Sequence, residues 1–366
     1  MAFKVAVIGA GWYGCHIGLS LLSLQMDVTI FETADRPMGS ASGNNQFRLH
    51  QGFHYARHHG TRIQSRDGFI RFTERYPNLS APIKQNLYAI PKYTSLIDFD
   101  TYKLIMVSSG IPFVEMPEGS EYLSNIEGVI NTDERVILLD RARSYFADRL
   151  KGSLLLNTPV ETIVNQDNGV LINGTRYDYA IDATWGHYTK PPIDLIYEPT
   201  ILLYYETKQD VPAVTFVDGP LCSVYPTEDP SIYTLSSVVH TPLGRFTTPE
   251  EAVATKNAVK GADSLAKREL MEAQVMENMR RFKDIFRFAG VQLAVKTKPV
   301  GNFDDRSCHV YRNGRVFSVL SGKIDTVFFA VERILSSIET EQSDWSGPQV
   351  GGIKRDILQK ELADKF

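Results

Sequence analysis

The 366-residue chain is poor in cysteine: it has three, Cys15, Cys222 and Cys308. They are odd in number and far apart, which excludes a disulfide framework and a cysteine-rich metal knot and fits a reducing compartment. No apolar run approaches the length of a membrane span. The apolar N-terminus has no basic leader or cleavage site, and glycines break it early, so it does not read as a signal peptide. Charge of one sign is not in large excess. A formal net charge of −4 leaves no electrostatic footprint for nucleic acid. Internal repeats and low-complexity segments are lacking as well, which sets aside solenoids and disordered arrays. What remains is a cytoplasmic globular protein, 43% hydrophobic and 22% charged, whose partner is a small or locally neutralised molecule. At this length two domains are expected; no feature specifies an oligomeric state.

The first thirty residues carry the strongest pattern. "FKVAVIGAGWYGCHIGLSLLSLQMDVTIFE" reads as strand, tight turn, helix and strand. Val5, Val7 and Ile8 make a short β-branched run suited to a strand buried on both faces. Gly9, Gly11 and Gly14 give G-x-G-x-x-G, with Ala10, Trp12 and Tyr13 between them. Ile17, Leu21, Leu22 and Leu24 then follow at helical spacing. Gly9 lets the chain turn, Gly11 lets a pyrophosphate approach the backbone, and Gly14 lets the helix lie close on the strand. The free N–H groups of the helix start would face the phosphates. Glu32, 18 residues after Gly14, ends the second strand where a carboxylate can accept hydrogen bonds from a ribose diol. Trp12 and Tyr13, bulky for this motif, should point away from the phosphates.

The segment after Glu32 is a polar, glycine-containing loop, not another helix and strand. Residues 40–62, "SASGNNQFRLHQGFHYARHHGTR", hold two Asn, four His and three Arg. "ETADRPMGSASGNNQFRLHQGFHY" resembles the segment of FAD-dependent oxidoreductases that runs beneath the pyrophosphate and ribityl chain and then passes the flavin. The arrangement is that of the D-amino-acid-oxidase-like superfamily, which includes glycine oxidase, sarcosine oxidase and L-2-hydroxyglutarate oxidase. "GNNQ-RLH-GFHY" and "SGKID" are most similar to bacterial and phage members in sugar- and nucleotide-modification clusters. The resemblance implies an α/β fold: a Rossmann-like FAD-binding domain with an inserted antiparallel-sheet substrate domain. It implies noncovalent FAD, with contacts from Thr33, Ser40, Ser42, Asn45, Arg48 and Leu49 on this segment.

Later motifs follow in the superfamily's order. "VILLDRARSYFADRL" and "LLLNTPVETIV" look like the helix and strand that set a backbone amide, here at Val160, against adenine. "YDYAIDATWGHY" resembles the strand ending in Ala-Thr-Gly that closes over the cofactor, with Ala183 and Thr184 in place and Trp185 interrupting the triplet. "RVFSVLSGKIDTVFFAVERIL" looks like the last strand and helix. There Gly322 would start the helix beneath the flavin, joined by Lys323, Ile324 and Asp325, and its positive end would stabilise charge on the reduced ring. These matches imply an FAD-binding domain of residues 1–80, 145–195 and 300–340. Residues 81–144 and 196–299 would form the substrate domain, and 341–366 a C-terminal helical extension. Val275, Met276, Met279, Phe282 and Phe286 stand at helical spacing, best read as a core face.

The chemistry follows from the cofactor, because FAD accepts electrons while the protein positions the reacting bond. His50 lies in the loop that passes the flavin and titrates near neutrality. It is a candidate base, a candidate donor to a substrate carboxylate, or a structural tie. Arg48 and Arg57 could clamp an anion, and Tyr55 could donate from its phenol or cover the ring. A metal site at His54, His58 and His59 is rejected, since no acid pairs with them at helical spacing. In amino-acid oxidases of the superfamily, a strand near "LAVKTKPVGNFDDRSCHVY" carries the Arg that grips the substrate carboxylate. Lys296 and Lys298 stand there instead, with Arg306 a further candidate; a lysine makes no planar fork, which argues against a simple α-amino acid. Cys308 lacks the spacing that would anchor flavin covalently. The leading expectation is oxidation of a C–N bond in an amine or N-substituted glycine, free or sugar- or nucleotide-linked. Oxidation of a 2-hydroxy acid with His50 as base and a non-redox flavin-dependent mutase are the alternatives.

Overall fold

The computed structural model describes residues 3–301 and 305–343. The opening pattern folds as its periodicity dictates. Strand β1 (Lys4–Ile8) is buried from Val5 onward, α1 (Trp12–Ser23) crosses over it, and β2 (Asp27–Phe31) pairs with β1 in parallel. Gly18 lets α1 settle on the sheet: a Cβ there would sit 2.4 Å from Ile30 Cδ1. Around β1 grows a six-stranded sheet in the order 309–313, 316–320, 179–182, β1, β2, 154–155, parallel except at its 309–313 edge. The last described helix, Val327–Ser343, packs against α1. Residues 344–366, most of the expected C-terminal extension, lie outside the described residues.

A second sheet of eight strands is drawn from 86–131 and 195–299. It was expected to be antiparallel. One pair is not, for Ala213–Phe216 runs parallel to Asn86–Pro91. These two strands come from separate stretches of chain, so no hairpin forces their direction. The helices at 261–276 and 282–285 lay Met271, Val275, Phe282 and Ile285 onto this sheet, and Met279 between them is equally buried in the same cluster. The fold is thus the α/β arrangement of a Rossmann-like sheet plus a mainly antiparallel sheet.

The seam between the sheets holds a short third sheet. Strand β3 (Arg48–Leu49) pairs antiparallel with Arg135–Ile137, with Leu49 opposite Arg135. Continued by one residue, that register brings Glu134 toward His50. The polar loop of the sequence is therefore partly regular, and it ends in α2 (His59–Arg75), capped by the His58 side chain, which accepts from Thr61 N–H at 3.1 Å.

Candidate active site

At the N-terminus of α1, Gly9 has φ +92° and a Cβ on Gly14 would lie 1.8 Å from the Gly9 carbonyl oxygen. The helix therefore starts hard against the strand, with its first N–H groups turned toward the space in front of β1. Gly11 is the N-cap and supplies no side-chain cap; Trp12 N–H donates to Ser42 Oγ at 3.1 Å. Glu32 folds back so that Oε2 accepts from Ala10 N–H at 2.7 Å and Oε1 from Ala34 N–H at 2.9 Å. The Thr33 hydroxyl also donates to Oε1 at 3.2 Å, so Oε2 is the oxygen that keeps a lone pair for a ribose hydroxyl. Trp12 buries its ring against Phe72 and Phe146, and Tyr13 donates its phenol proton to Lys323 O at 2.9 Å. Both rings thus leave the phosphate position open. A dinucleotide such as FAD fits these residues: bare backbone at the turn, a glycine N-cap with no side chain in the way and an acid at the second strand's end.

From this cradle a cleft of about 280 Å³ runs between the sheets. Of the residues singled out in the sequence, Gly11, Trp12, Tyr13, Ser42 and Asn45 line it from the first strand-turn-helix and the polar loop. Arg48, His50, Tyr55, Lys296 and Arg306 line it too, as do Ala183, Gly322, Lys323 and Ile324. Gly9, Ala10, Gly14, Glu32, Thr33, Ser40, Leu49, Val160, Thr184 and Asp325 are not in its lining. Leu49 is core, and Val160 packs with Ala6, Ile8 and Phe31. Thr184 gives its hydroxyl proton to Asp182 at 2.5 Å.

Two expectations need correcting. Gly322 does not start the last helix, which begins at Val327. Between them lies a turn tied by Ser321 Oγ to Thr326 Oγ1 at 2.9 Å, and Arg306 lies over Gly322, where a Cβ would meet its Cδ at 3.0 Å. Arg57 and Lys298 do not reach into the cleft: Arg57 is ion-paired with Asp218, and Lys298 with the buried Glu198. All three cysteines are free and buried, and none lines the cleft.

Arg48 is only 5% exposed. Its guanidinium stacks on Tyr225, 3.9 Å from the ring centroid, and Nη1 donates to Thr215 Oγ1 at 2.6 Å. Its Nε and Nη2 are buried without a hydrogen-bond partner. Those two groups form the side-on fork that matches a carboxylate. Beside it stand two imidazoles edge to face, His50 and His54, with centroids 4.7 Å apart. Burial pushes both well below the usual histidine value, and the charges of Arg48 and Lys323 add to this. Both are therefore neutral proton acceptors. Lys296 is held down to about 8 by burial and by Arg306 and Lys298. Lys323 lies over the Tyr55 ring at 4.3 Å.

Sequence reasoning considered His54 only as a metal ligand and did not single out Glu134, Tyr88 or Gln46. Glu134, fully buried, has Oε1 3.8 Å from His50 Nδ1. Tyr88 links it to His54. Gln46 lines the cleft and accepts from Ser223 and Ser236 hydroxyls at 3.0 and 2.9 Å. Only the density of polar groups in residues 40–62 signalled any of this. Among the described residues no cluster of His, Cys, Asp and Glu could hold a metal, and no helix is long and apolar enough to cross a membrane.

A glycine-cradled nucleotide site opening on a cationic cleft is the plan of a flavin-dependent oxidoreductase. Residues 4–255 match the family described as DAO, FAD dependent oxidoreductase, and the chain belongs to that family; its cofactor is FAD. It is 56% identical over 338 residues to the FAD-dependent monooxygenase FPY4 of Fusarium mangiferae, covering 92% of each chain. It is 24% identical to the FAD-dependent monooxygenase kojA of Aspergillus flavus, over 92% of this chain and 85% of that one. These relatives are fungal, where the sequence motifs had pointed toward bacterial and phage gene clusters. In fold it resembles glycine oxidase from Geobacillus kaustophilus, with a TM-score of 0.68 at 13% identity over 97% of this chain and 99% of that one.

Proposed function

We propose that this oxidoreductase removes a hydride from the carbon of a C–N bond in a small amine that carries a carboxylate, such as an N-substituted glycine. The observation that carries the reading is the unpartnered Nε/Nη2 fork of buried Arg48 beside two neutral imidazoles. A buried fork left empty is costly unless a ligand fills it, and carboxylate is the group that it matches. Sequence argued against an α-amino acid because lysines replace the expected strand arginine; Arg48, on a different element, supplies the missing fork. Bound FAD would accept the hydride.

The chain's own work is then positioning and proton transfer. Arg48 holds the carboxylate. A neutral imidazole takes the proton of the substrate ammonium, so that the nitrogen lone pair can support the developing iminium. Lys296, Arg306 and Lys323 favour an anion in the cleft. Water then hydrolyses the imine, which for an N-substituted glycine releases glyoxylate and the free amine. The nitrogen's other substituent is, in this reading, a sugar- or nucleotide-linked group. Gly9, Gly11, Gly14 and Glu32 hold the cofactor, and the two large sheets correspond to FAD-binding and substrate domains.

A second reading is oxygen insertion, which the 56% identity to a chain named as a monooxygenase favours. A 2-hydroxy acid would use the same fork, with the imidazole taking its hydroxyl proton. The test is anaerobic mixing of the FAD-loaded protein with amines, N-alkyl glycines, sugar- and nucleotide-linked amines and 2-hydroxy acids. Bleaching of the flavin by carboxylated amines supports the proposal, and bleaching by hydroxy acids alone overturns it. Reduction only by a nicotinamide nucleotide, with labelled oxygen entering the product, selects insertion. Activity only after dithionite reduction selects a mutase.

A further inference from the structure

We propose that a second cavity, behind Trp185 and Arg306, is the binding site for the far end of the substrate, and that it takes a planar, mainly apolar ring with a polar atom on its edge. The proposal rests on the reading that a carboxylate seats in the cleft. It deepens that reading by deciding what the substrate's other end carries: a heteroaromatic ring, such as the base of a nucleotide-linked group, and not a bare sugar.

The cavity measures about 380 Å³, against about 280 Å³ for the cleft. Trp185, Arg306, Ser321 and Gly322 line both spaces and so form the partition between them. A ligand that extends past these residues from the cleft enters the cavity.

Two features of the partition are unexplained by the cofactor cradle. Trp185 has φ +62°, a left-handed conformation that a bulky side chain rarely adopts. Strain of this kind persists where a function holds it. Trp185 is also the residue that interrupts the Ala-Thr-Gly pattern. Its ring is half-buried against the cluster of Leu195, Tyr197 and Leu320. Among the described residues no hydrogen bond or ring contact fixes it. Arg306 is the second feature. Its guanidinium makes one hydrogen bond, from Nη1 to Thr297 O at 3.5 Å, and no ion pair among the described residues. An indole and a guanidinium both stack on planar rings.

Inside the cavity, Ile193, Leu195, Pro299, Tyr311 and Leu320 supply the apolar wall. The charged groups there are mostly used already. Lys298 is ion-paired with Glu198, and His309 Nε2 lies 2.9 Å from Asp305 Oδ2. Asp305 Oδ1 accepts from Ser307 N–H at 2.9 Å. Sugar hydroxyls would find few free partners, whereas ring carbons would find apolar surface. One polar group is left over. Thr297 Oγ1, in a residue only 2% exposed, has no hydrogen-bond partner. A hydroxyl both donates and accepts, so one nitrogen or oxygen on the ring's edge would satisfy it.

The test uses carboxylates that need not react. FAD-loaded protein is titrated with phenyl- and pyridylalkanoates of increasing spacer length, and with the ring-free alkanoates of the same spacers, by flavin difference spectra. At the best spacer the phenyl acid should bind about 10- to 100-fold tighter than its ring-free counterpart, and the pyridyl acid tighter still. Ile193→Trp fills the cavity and should bring the phenyl-to-ring-free ratio near one. Should that variant not fold, Trp185→Gly, which relaxes the left-handed turn, should lower the same ratio. Thr297→Val should erase the pyridyl acid's advantage over the phenyl acid. Equal affinities of phenyl and ring-free acids at every spacer overturn the proposal, as does a ratio that survives Ile193→Trp. An FAD affinity that falls together with the ratio assigns the cavity to the cofactor and overturns it too. If no acid perturbs the flavin, the Arg48 reading fails, while ligand-observed NMR with indole alone still decides the cavity: no binding, or binding that persists in Ile193→Trp, overturns the proposal.

Discussion

Replacing Arg48 with lysine keeps a cation and removes the fork. Lysine cannot bond Thr215 and a carboxylate at once in the geometry that Arg48 offers, with Nη1 on Thr215 Oγ1 at 2.6 Å and Nε and Nη2 left for the ligand. Substrate loses two charge-assisted bonds and regains one. The net loss is about 1.5–3 kcal/mol, or roughly 10- to 150-fold in kcat/KM. Lysine also gives up the stack on Tyr225, which would weaken catalysis for any substrate. The comparison that isolates the fork is a double cycle: wild type and Arg48→Lys, each with a carboxylated amine and with its carboxamide. The carboxylate-specific loss should survive the cycle. If the variant slows both substrates equally, Arg48 is only a wall of the cleft and the C–N oxidation reading loses its anchor.

Gly14→Ala places a methyl 1.8 Å from the Gly9 carbonyl oxygen, backbone against backbone, with no rotamer to relieve it; α1 must lift, and calorimetry should show weakened FAD binding with about 1–3 kcal/mol of lost stability. Asp325 is fully buried and its carboxyl is pushed up to about 7 by burial. The fold therefore holds a proton that the unfolded chain releases near pH 4, and stability falls as pH rises from there through 7. Asp325→Asn should gain up to about 4 kcal/mol at pH 8 and nothing near pH 4 in urea titrations. Lys296 loses its charge above about pH 8; an anionic inhibitor should weaken through that pH in wild type and bind without that step in Lys296→Met, as measured by flavin difference spectra.

The strand–helix–strand start and its glycines were legible because their logic is local: apolar periodicity, a turn and an acid within thirty residues. The later strands were anticipated from the order of motifs in the resembled superfamily rather than from local pattern. The contacts that sort one polar residue from another were not. Arg57 and Lys298 read as candidate anion contacts until Asp218, in a loop, and Glu198, on the neighbouring strand, pair with them. Tyr88 and Glu134 are 34 and 80 residues from His54 along the chain, and only the pairing of β3 with Arg135–Ile137 brings the carboxylate to the histidines. The late helix start was missed because glycine suggested a cap, whereas side-chain hydroxyls of Ser321 and Thr326 hold a turn there first.

The same cations that would gather an anion also suppress the bases meant to serve it. Burial most of all, and then Arg48 and Lys323, lower both imidazoles' affinity for protons, so each stands neutral but weak. A carboxylate seated on the Arg48 fork cancels part of that positive field at the distance of one hydrogen bond. The neutral imidazole that serves as base then becomes a better acceptor at the moment its proton donor is in place, and substrates without the anion meet a base that is present but poorly driven. Selectivity would thus come from charge compensation as much as from shape. On this argument the carboxamide of the double cycle should lose more in kcat than in KM, because what it lacks is the charge that activates the base.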